Sequence, residues 1–129
     1  MLRLMNATYI GDPRNQGGGE DDTDMSFSGV LIITDQRLSL AVLVGLMTKR
    51  WSVHKTVELS NVKGTEIRYG FRKNYLGINT TSYRVTYTEA WKEFYETDLN
   101  TLKRGRPVDL AFAQQVINDA LARKGPGMR

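Results

Sequence analysis

From Leu2 to Leu99 the chain is cut by turn-forming residues about every ten positions, and the pieces between the cuts are short, β-branched or aromatic, and often alternating. A chain patterned this way cannot bury its apolar side chains as a helical bundle; it must pair strands into an antiparallel barrel or sandwich. Leu2 to Ile10 is the first apolar piece, closed by Gly11-Asp12-Pro13. Pro13 and the Gly17-Gly18-Gly19 run then break regular structure through Asp24, so residues 12–24 read as a flexible, acidic, Gly-rich loop. Phe27 to Thr34, centred on Val30-Leu-Ile-Ile-Thr34, reads as a strand buried on both faces, and Leu38 to Met47 resumes after a turn at Asp35-Gln36.

The following strands are expected from period-two alternation. In Val53 to Leu59, Val53, Val57 and Leu59 share one face, with His54, Thr56 and Glu58 on the other. Thr65, Ile67, Tyr69 and Phe71 alternate with Glu66, Arg68 and Gly70, and Tyr83, Val85 and Tyr87 alternate with Arg84, Thr86 and Thr88. Trp91 to Leu99 completes about seven strands.

At the C-terminus the period changes. Pro107 suits a first helical position, Asp109 complements the helix dipole, and Leu110, Ala113, Ile117 and Leu121 line one stripe, widened by Phe112, Val116 and Ala120. A helix is therefore expected at about 107–123, stopped by Lys124-Gly125-Pro126 and able to plug an open end of a small barrel. The chain reads as one domain, residues 1–124, with a tail at 125–129.

With 129 residues and no Cys, disulfides, thiol nucleophiles and cysteine metal sites are excluded together. Leu38 to Met47 is about half a membrane span, and no basic-then-apolar leader opens the chain, so a soluble, cytoplasmic protein is expected, peripheral to a membrane at most. Charge is uneven. Residues 1–35 carry six acids (Asp12, Glu20, Asp21, Asp22, Asp24, Asp35) against Arg3 and Arg14, while the remainder is strongly basic, within a net charge of +4. That polarity suits an anionic partner or simply a solvated sheet face.

Ser28-Gly-Val-Leu-Ile-Ile-Thr-Asp-Gln-Arg-Leu38 resembles the G-x-L-x-x-T-x-x-R-L hairpin of bacterial pleckstrin-homology-like (PH-like) and GRAM domains. Val57-Glu-Leu-Ser-Asn-Val62 resembles the edge segment that follows it there. The resemblance implies a mostly β (α+β) PH-like fold, a seven-stranded antiparallel barrel capped by one C-terminal helix, with Gly29, Thr34, Arg37 and Leu38 as structural hairpin residues. More distantly it resembles the GLUE domain of the ESCRT machinery, which implies a ubiquitin or sorting adaptor.

Catalytic constellations are nearly absent. His54 is the single histidine and reads as a surface or rim residue, and the Asp21, Asp22, Asp24 cluster lacks calcium-loop spacing. Gly17 to Gly19 lacks the Lys-Ser/Thr and the following helix of a phosphate cradle. No enzyme, cofactor, metal or small-molecule substrate is expected. The first expectation is a module that binds protein or itself, for instance a peptide in the groove between an edge strand and the terminal helix. The alternative is an anionic phospholipid membrane, bound through Lys49, Arg50, Trp51, Lys55, Arg72 and Lys73. On the plainer view Trp51 is core and Lys49-Arg50 a turn. Nucleic acid is not expected, because Tyr69, Phe71, Tyr75, Tyr83 and Tyr87 read as core aromatics of a small barrel rather than as a stacking platform.

Overall fold

The β-branched run at Val30 to Ile33 lies at the middle of an eight-stranded antiparallel sheet in a computed structural model that describes residues 2–11, 27–69 and 74–124. The strands are β1 (Leu2–Gly11), β2 (Phe27–Thr34), β3 (Arg37–Val44), β4 (Arg50–Glu58), β5 (Val62–Tyr69), β6 (Asn74–Ser82), β7 (Val85–Thr97) and β8 (Arg104–Pro107). A single 3-10 turn, Leu59–Asn61, links β4 to β5, and the helix α1 (Leu110–Lys124) closes the described chain. The acidic loop at 12–24, Arg72, Lys73, Phe71 and the tail lie outside the described residues.

Hydrogen bonding orders the strands β4-β3-β2-β1-β7-β6-β5, with β8 paired to β7. Strand direction alternates along this path, so β4 ends and β5 begins at opposite ends of the sheet and on opposite edges. Yet Leu59–Asn61 alone joins them, a link whose reach is about 10 Å. The sheet must therefore coil until its edges approach, as accumulated strand twist allows. Among the described residues β4 and β5 do not pair, so the expected closed barrel is instead an open, coiled sheet.

The inner surface of the coil is the core. Leu31 and Ile33 of β2, Leu38 and Leu40 of β3, Leu76 and Ile78 of β6 and Trp91 of β7 are all buried in one apolar cluster. Ala113, Val116, Ile117 and Ala120 enter it from α1 at i, i+3, i+4 and i+7 spacing. Phe112, expected on that stripe, is 44% exposed. The helix also starts later than expected: Pro107 pairs with Tyr95 as the end of β8. Asp109 then caps the helix, its Oδ1 accepting the Phe112 N–H at 2.8 Å.

The hairpin residues singled out in the sequence each have a physical role. Gly29 lies so close to β3 that an added Cβ would sit 2.2 Å from the Ala41 carbonyl oxygen. Thr34 Oγ1 accepts the N–H of Gln36 and of Arg37, both at 3.1 Å, and donates to the Arg37 carbonyl. Arg37 pairs in register with Glu58 and donates to its Oε2 at 3.0 Å, and Leu38 is core. Replacing Thr34 with Val removes the hydroxyl from all three bonds; because the turn is exposed, the expected loss is about 1 kcal/mol. The urea midpoint should then fall by roughly 0.5 M with an unchanged slope. A variant with the wild-type midpoint would show that the hydroxyl does not hold the turn.

Two strands differ from expectation. β6, which is not among the expected strands, runs through Gly77 and Asn79, and Leu76, Ile78 and Thr80 all turn inward. Tyr83 and Arg84, expected inside a strand, form instead the two-residue turn between Ser82 and Val85, with φ of 51° and 71°. Positive φ at both central positions is the type I′ arrangement that Asn-Gly adopts freely. For residues with a Cβ, the left-handed region costs roughly 1–2 kcal/mol each. The expected separate strands at Tyr83–Thr88 and Trp91–Leu99 are then one strand, β7, with Glu93 at φ 55° where its pairing with β1 shifts register.

Candidate functional site

Among the described residues, the β3–β4 hairpin ends in the one turn that presents consecutive large apolar residues wholly to solvent. Val44 pairs with Arg50 and Leu43 with Trp51, leaving Gly45 to Lys49 to reverse the chain. Gly45 has φ +117°, and a Cβ there would fall 2.2 Å from the Thr48 carbonyl oxygen, so the turn needs glycine on both counts. Beyond that pivot Leu46 is 99% and Met47 97% exposed. Lys49 and Arg50 follow, both exposed, and between Arg37 and Glu58 the chain carries no acid.

A register shift explains why the flanking strands present apolar side chains to water as well. Leu38 and Leu40 face Val57 and Lys55, but Ala41 faces Val53, so His54 is the extra residue of a bulge. Past that bulge the outward partners of Ala41 and Leu43 are Val53 and Trp51. Leu43, Trp51 and Val53 are accordingly 49%, 43% and 60% exposed. Trp51 is therefore a surface residue and not core, and the even alternation expected across Val53, Val57 and Leu59 fails at the bulge. Tyr69, Tyr83 and Tyr87 are likewise exposed and do not belong to the core.

Of the four described residues expected to belong to an anion-binding face, three come together and Lys55 does not. Lys49, Arg50 and Trp51 share the hairpin tip, while Arg72 and Lys73 lie outside the described residues. Lys55 turns into the coil, where its Nζ meets Glu89 Oε2 at 2.5 Å and sits 5.5 Å from the centre of the Tyr9 ring. Tyr9 donates its hydroxyl to the same Oε2 at 2.9 Å, and Tyr9 packs on Trp91 with ring centres 4.9 Å apart. This trio, in which Glu89 is buried and Lys55 and Tyr9 are half-buried, joins edge strand β4 to the opposite wall. It is structural rather than available to a ligand. His54 stays at the rim, its ring 3.8 Å from that of Phe27.

Leu46 and Met47 escaped sequence reading because they continued an apolar strand; the available signal was Gly45 followed by Thr48-Lys49-Arg50, which marks a turn. The alternating path also sends the β1–β2, β3–β4 and β6–β7 connections out of the same end of the sheet. Tyr83, 95% exposed, and the exposed Arg84 are therefore at the same rim as Leu46 and Met47.

A groove of about 450 Å³ runs between Tyr69 at the end of edge strand β5, Tyr95 of β7 and the start of α1 at Leu110; it is the place where a groove between an edge strand and the helix was expected. On the exposed face of β5, Arg68 hydrogen-bonds Glu66 and, with help from Asn79, holds its carboxyl below the usual range. Any stability from that pair is present above the unfolded carboxyl's range and fades as pH falls, and its contact with water keeps it small. Among the described residues no group of three or more His, Asp or Glu gathers as a metal site, and no helix is long and apolar enough to cross a membrane. Comparison of the chain with protein-family models, with curated proteins and with solved structures finds no match.

Proposed function

We propose that the chain is a non-catalytic PH-like interaction module that docks on anionic membrane surfaces through the β3–β4 tip. The observation that carries this reading is the near-complete exposure of Leu46 and Met47 on a glycine pivot, beside Lys49, Arg50 and Trp51. The strand order β4-β3-β2-β1-β7-β6-β5 with one terminal helix supports the PH-like part of it.

The shape of the tip favours a bilayer as its occupant. Two adjacent apolar side chains at a convex turn offer a folded protein little buried area, but they can enter a fluid acyl layer without a preformed cavity. Trp51 then suits headgroup depth, and the cations suit lipid phosphates. A protein partner adding a strand to β4, first in the sequence-based order, meets the bulge at His54, which spoils a regular edge. Burial of Leu46 and Met47 offers about 1.5–3 kcal/mol each, and each cation adds about 1 kcal/mol near an anionic leaflet. Such a sum corresponds to weak, reversible docking, with dissociation constants of roughly micromolar to millimolar.

Co-sedimentation with phosphatidylcholine vesicles and with vesicles containing phosphatidylserine tests the proposal. Binding is expected to the anionic vesicles only, weaker at physiological than at low salt, and lost in both Leu46→Ser/Met47→Ser and Lys49→Glu/Arg50→Glu, which leave the melting temperature unchanged. Absence of wild-type binding at low salt would overturn it. So would a dimer in solution that the Leu46→Ser/Met47→Ser variant dissociates, since the tip would then belong to a second copy.

A further inference from the structure

We propose that a cleft on the face of the sheet away from the core, between β1, β2 and β7, binds a small zwitterion, a molecule that carries both an ammonium and a carboxylate. The inference is independent of the β3–β4 tip. The cleft has a volume of about 490 Å³, within the range of small-ligand sites, and Thr8, Ser28, Glu93, Lys103 and Arg104 line it beside Tyr95. Asn6 faces Tyr95 and Thr8 faces Lys92, so Ala7 stands opposite two residues, Glu93 and Phe94. Glu93 is the first residue of that bulge, with φ 55°, where glycine would sit without strain. Strain of this kind gathers at ligand sites, and bulges re-aim side chains there. Here the carboxylate is aimed into the cleft, where the hydroxyl of Thr8, 5% exposed, donates to its Oε1 at 3.2 Å. Thr8 has one hydroxyl proton, so Ser28, 2.8 Å away, donates to Thr8 and keeps a lone pair for a ligand.

The opposite charges of this cleft are not spent on each other. Among the described residues Arg106 takes Glu96, but no ion pair joins Glu93 to Lys103 or Arg104. Both cations are held in place: the Lys103 N–H donates to Thr101 Oγ1 at 3.2 Å, and the Arg104 guanidinium lies 4.9 Å from the centre of the Tyr95 ring. Glu93 repels a simple anion from the cleft, and Lys103 and Arg104 repel a simple cation. A molecule with both charges meets Glu93 with its ammonium and the two cations with its carboxylate. An aromatic side chain on that molecule has Tyr95 to lie against.

Titration of the full chain with L-phenylalanine, followed by amide chemical shifts, tests the proposal. Saturable binding is expected with a dissociation constant of about 1 mM, the largest shifts falling at Thr8, Ser28 and Glu93. N-acetyl-L-phenylalanine lacks the ammonium and L-phenylalaninamide lacks the carboxylate, and each should bind at least about tenfold more weakly. Glycyl-L-phenylalanine sets the two charges further apart. If it binds more tightly than the free amino acid, the cleft takes small peptides, and if more weakly, free amino acids; either result supports a zwitterion site. Glu93→Gln keeps an acceptor for Thr8, and Lys103→Met keeps the length of its side chain. Each should lose about tenfold in affinity at an unchanged melting temperature. Equal affinity for the N-acetyl compound, full binding by Glu93→Gln, or no shift up to about 20 mM ligand overturns the proposal.

Discussion

Replacing Lys55 with Met is expected to destabilise the protein by about 2–4 kcal/mol, because it strands the Glu89 carboxylate inside the coil. The Glu89 side chain is 6% exposed and that of Lys55 26%, so the carboxylate has little recourse to water when its cation is removed. Only the Tyr9 hydroxyl would remain on Oε2, and Oε1 already lies buried without a protein partner. Part of the usual cost of breaking a buried pair is forgiven by the partial exposure of Lys55, hence the lower end of that range. The pair also spans the fold: β4 is an edge strand, and β7 stands across the coil from it. Glu89→Gln added to Lys55→Met removes the stranded charge while keeping an acceptor for Tyr9, and should recover more than half of the loss. Urea titration of the three variants against wild type decides the matter. A Lys55→Met midpoint within experimental error of wild type would mean that the pair contributes nothing.

The second large effect is steric. Gly29→Ala is expected to cost about 3 kcal/mol, and Gly29→Val to prevent folding, since the new Cβ would lie 2.2 Å from the Ala41 carbonyl oxygen and 3.0 Å from Val42 Cγ1. Relief requires β2 and β3 to separate at the centre of the sheet, against backbone atoms that have no rotamer to change. Gly64 supplies the contrast: a Cβ there meets nothing within 4 Å, so Gly64→Ala should stay within about 0.5 kcal/mol of wild type. Equal melting temperatures for Gly29→Ala and Gly64→Ala would refute the close approach as the reason for glycine.

Position 29 also shows how far local reading reaches. Gly29, Thr34 and Leu38 were legible because each acts within or beside one hairpin, as a close approach, a hydroxyl that closes a turn and a core position, whereas the pairing of Arg37 with Glu58 of the next strand was not read. The helix was legible for the same reason, since residues three and four apart meet on its own surface. Its start was not. Pro107 satisfies a first helical position and an edge strand equally well, and pairing with Tyr95 of β7 selects the strand.

The candidate site was legible in part. Lys49, Arg50 and Trp51 stand out as cations beside an aromatic, but their exposure depends on the bulge at His54. Period-two alternation assumes that strand partners stay in step, and one inserted residue reverses the face of every side chain beyond it. That reversal carries Trp51 and Val53 to the surface, while Lys55, on the near side of the bulge, faces the interior. The strand β6 and the turn at Tyr83-Arg84 were hidden likewise, because Gly77 and Asn79 are tolerated only between two pairing strands.

The sequence by itself determined the mostly β composition, the β2–β3 turn, the single terminal helix and the lack of acid across the β3–β4 hairpin, all properties of residues within one element's reach. The tertiary structure alone decided the open coil, the pairing of Lys55 with Glu89 and the exposure of Leu46, Met47 and Trp51. Those follow from register and accumulated twist, which belong to pairs of strands and to the whole sheet rather than to any stretch of chain.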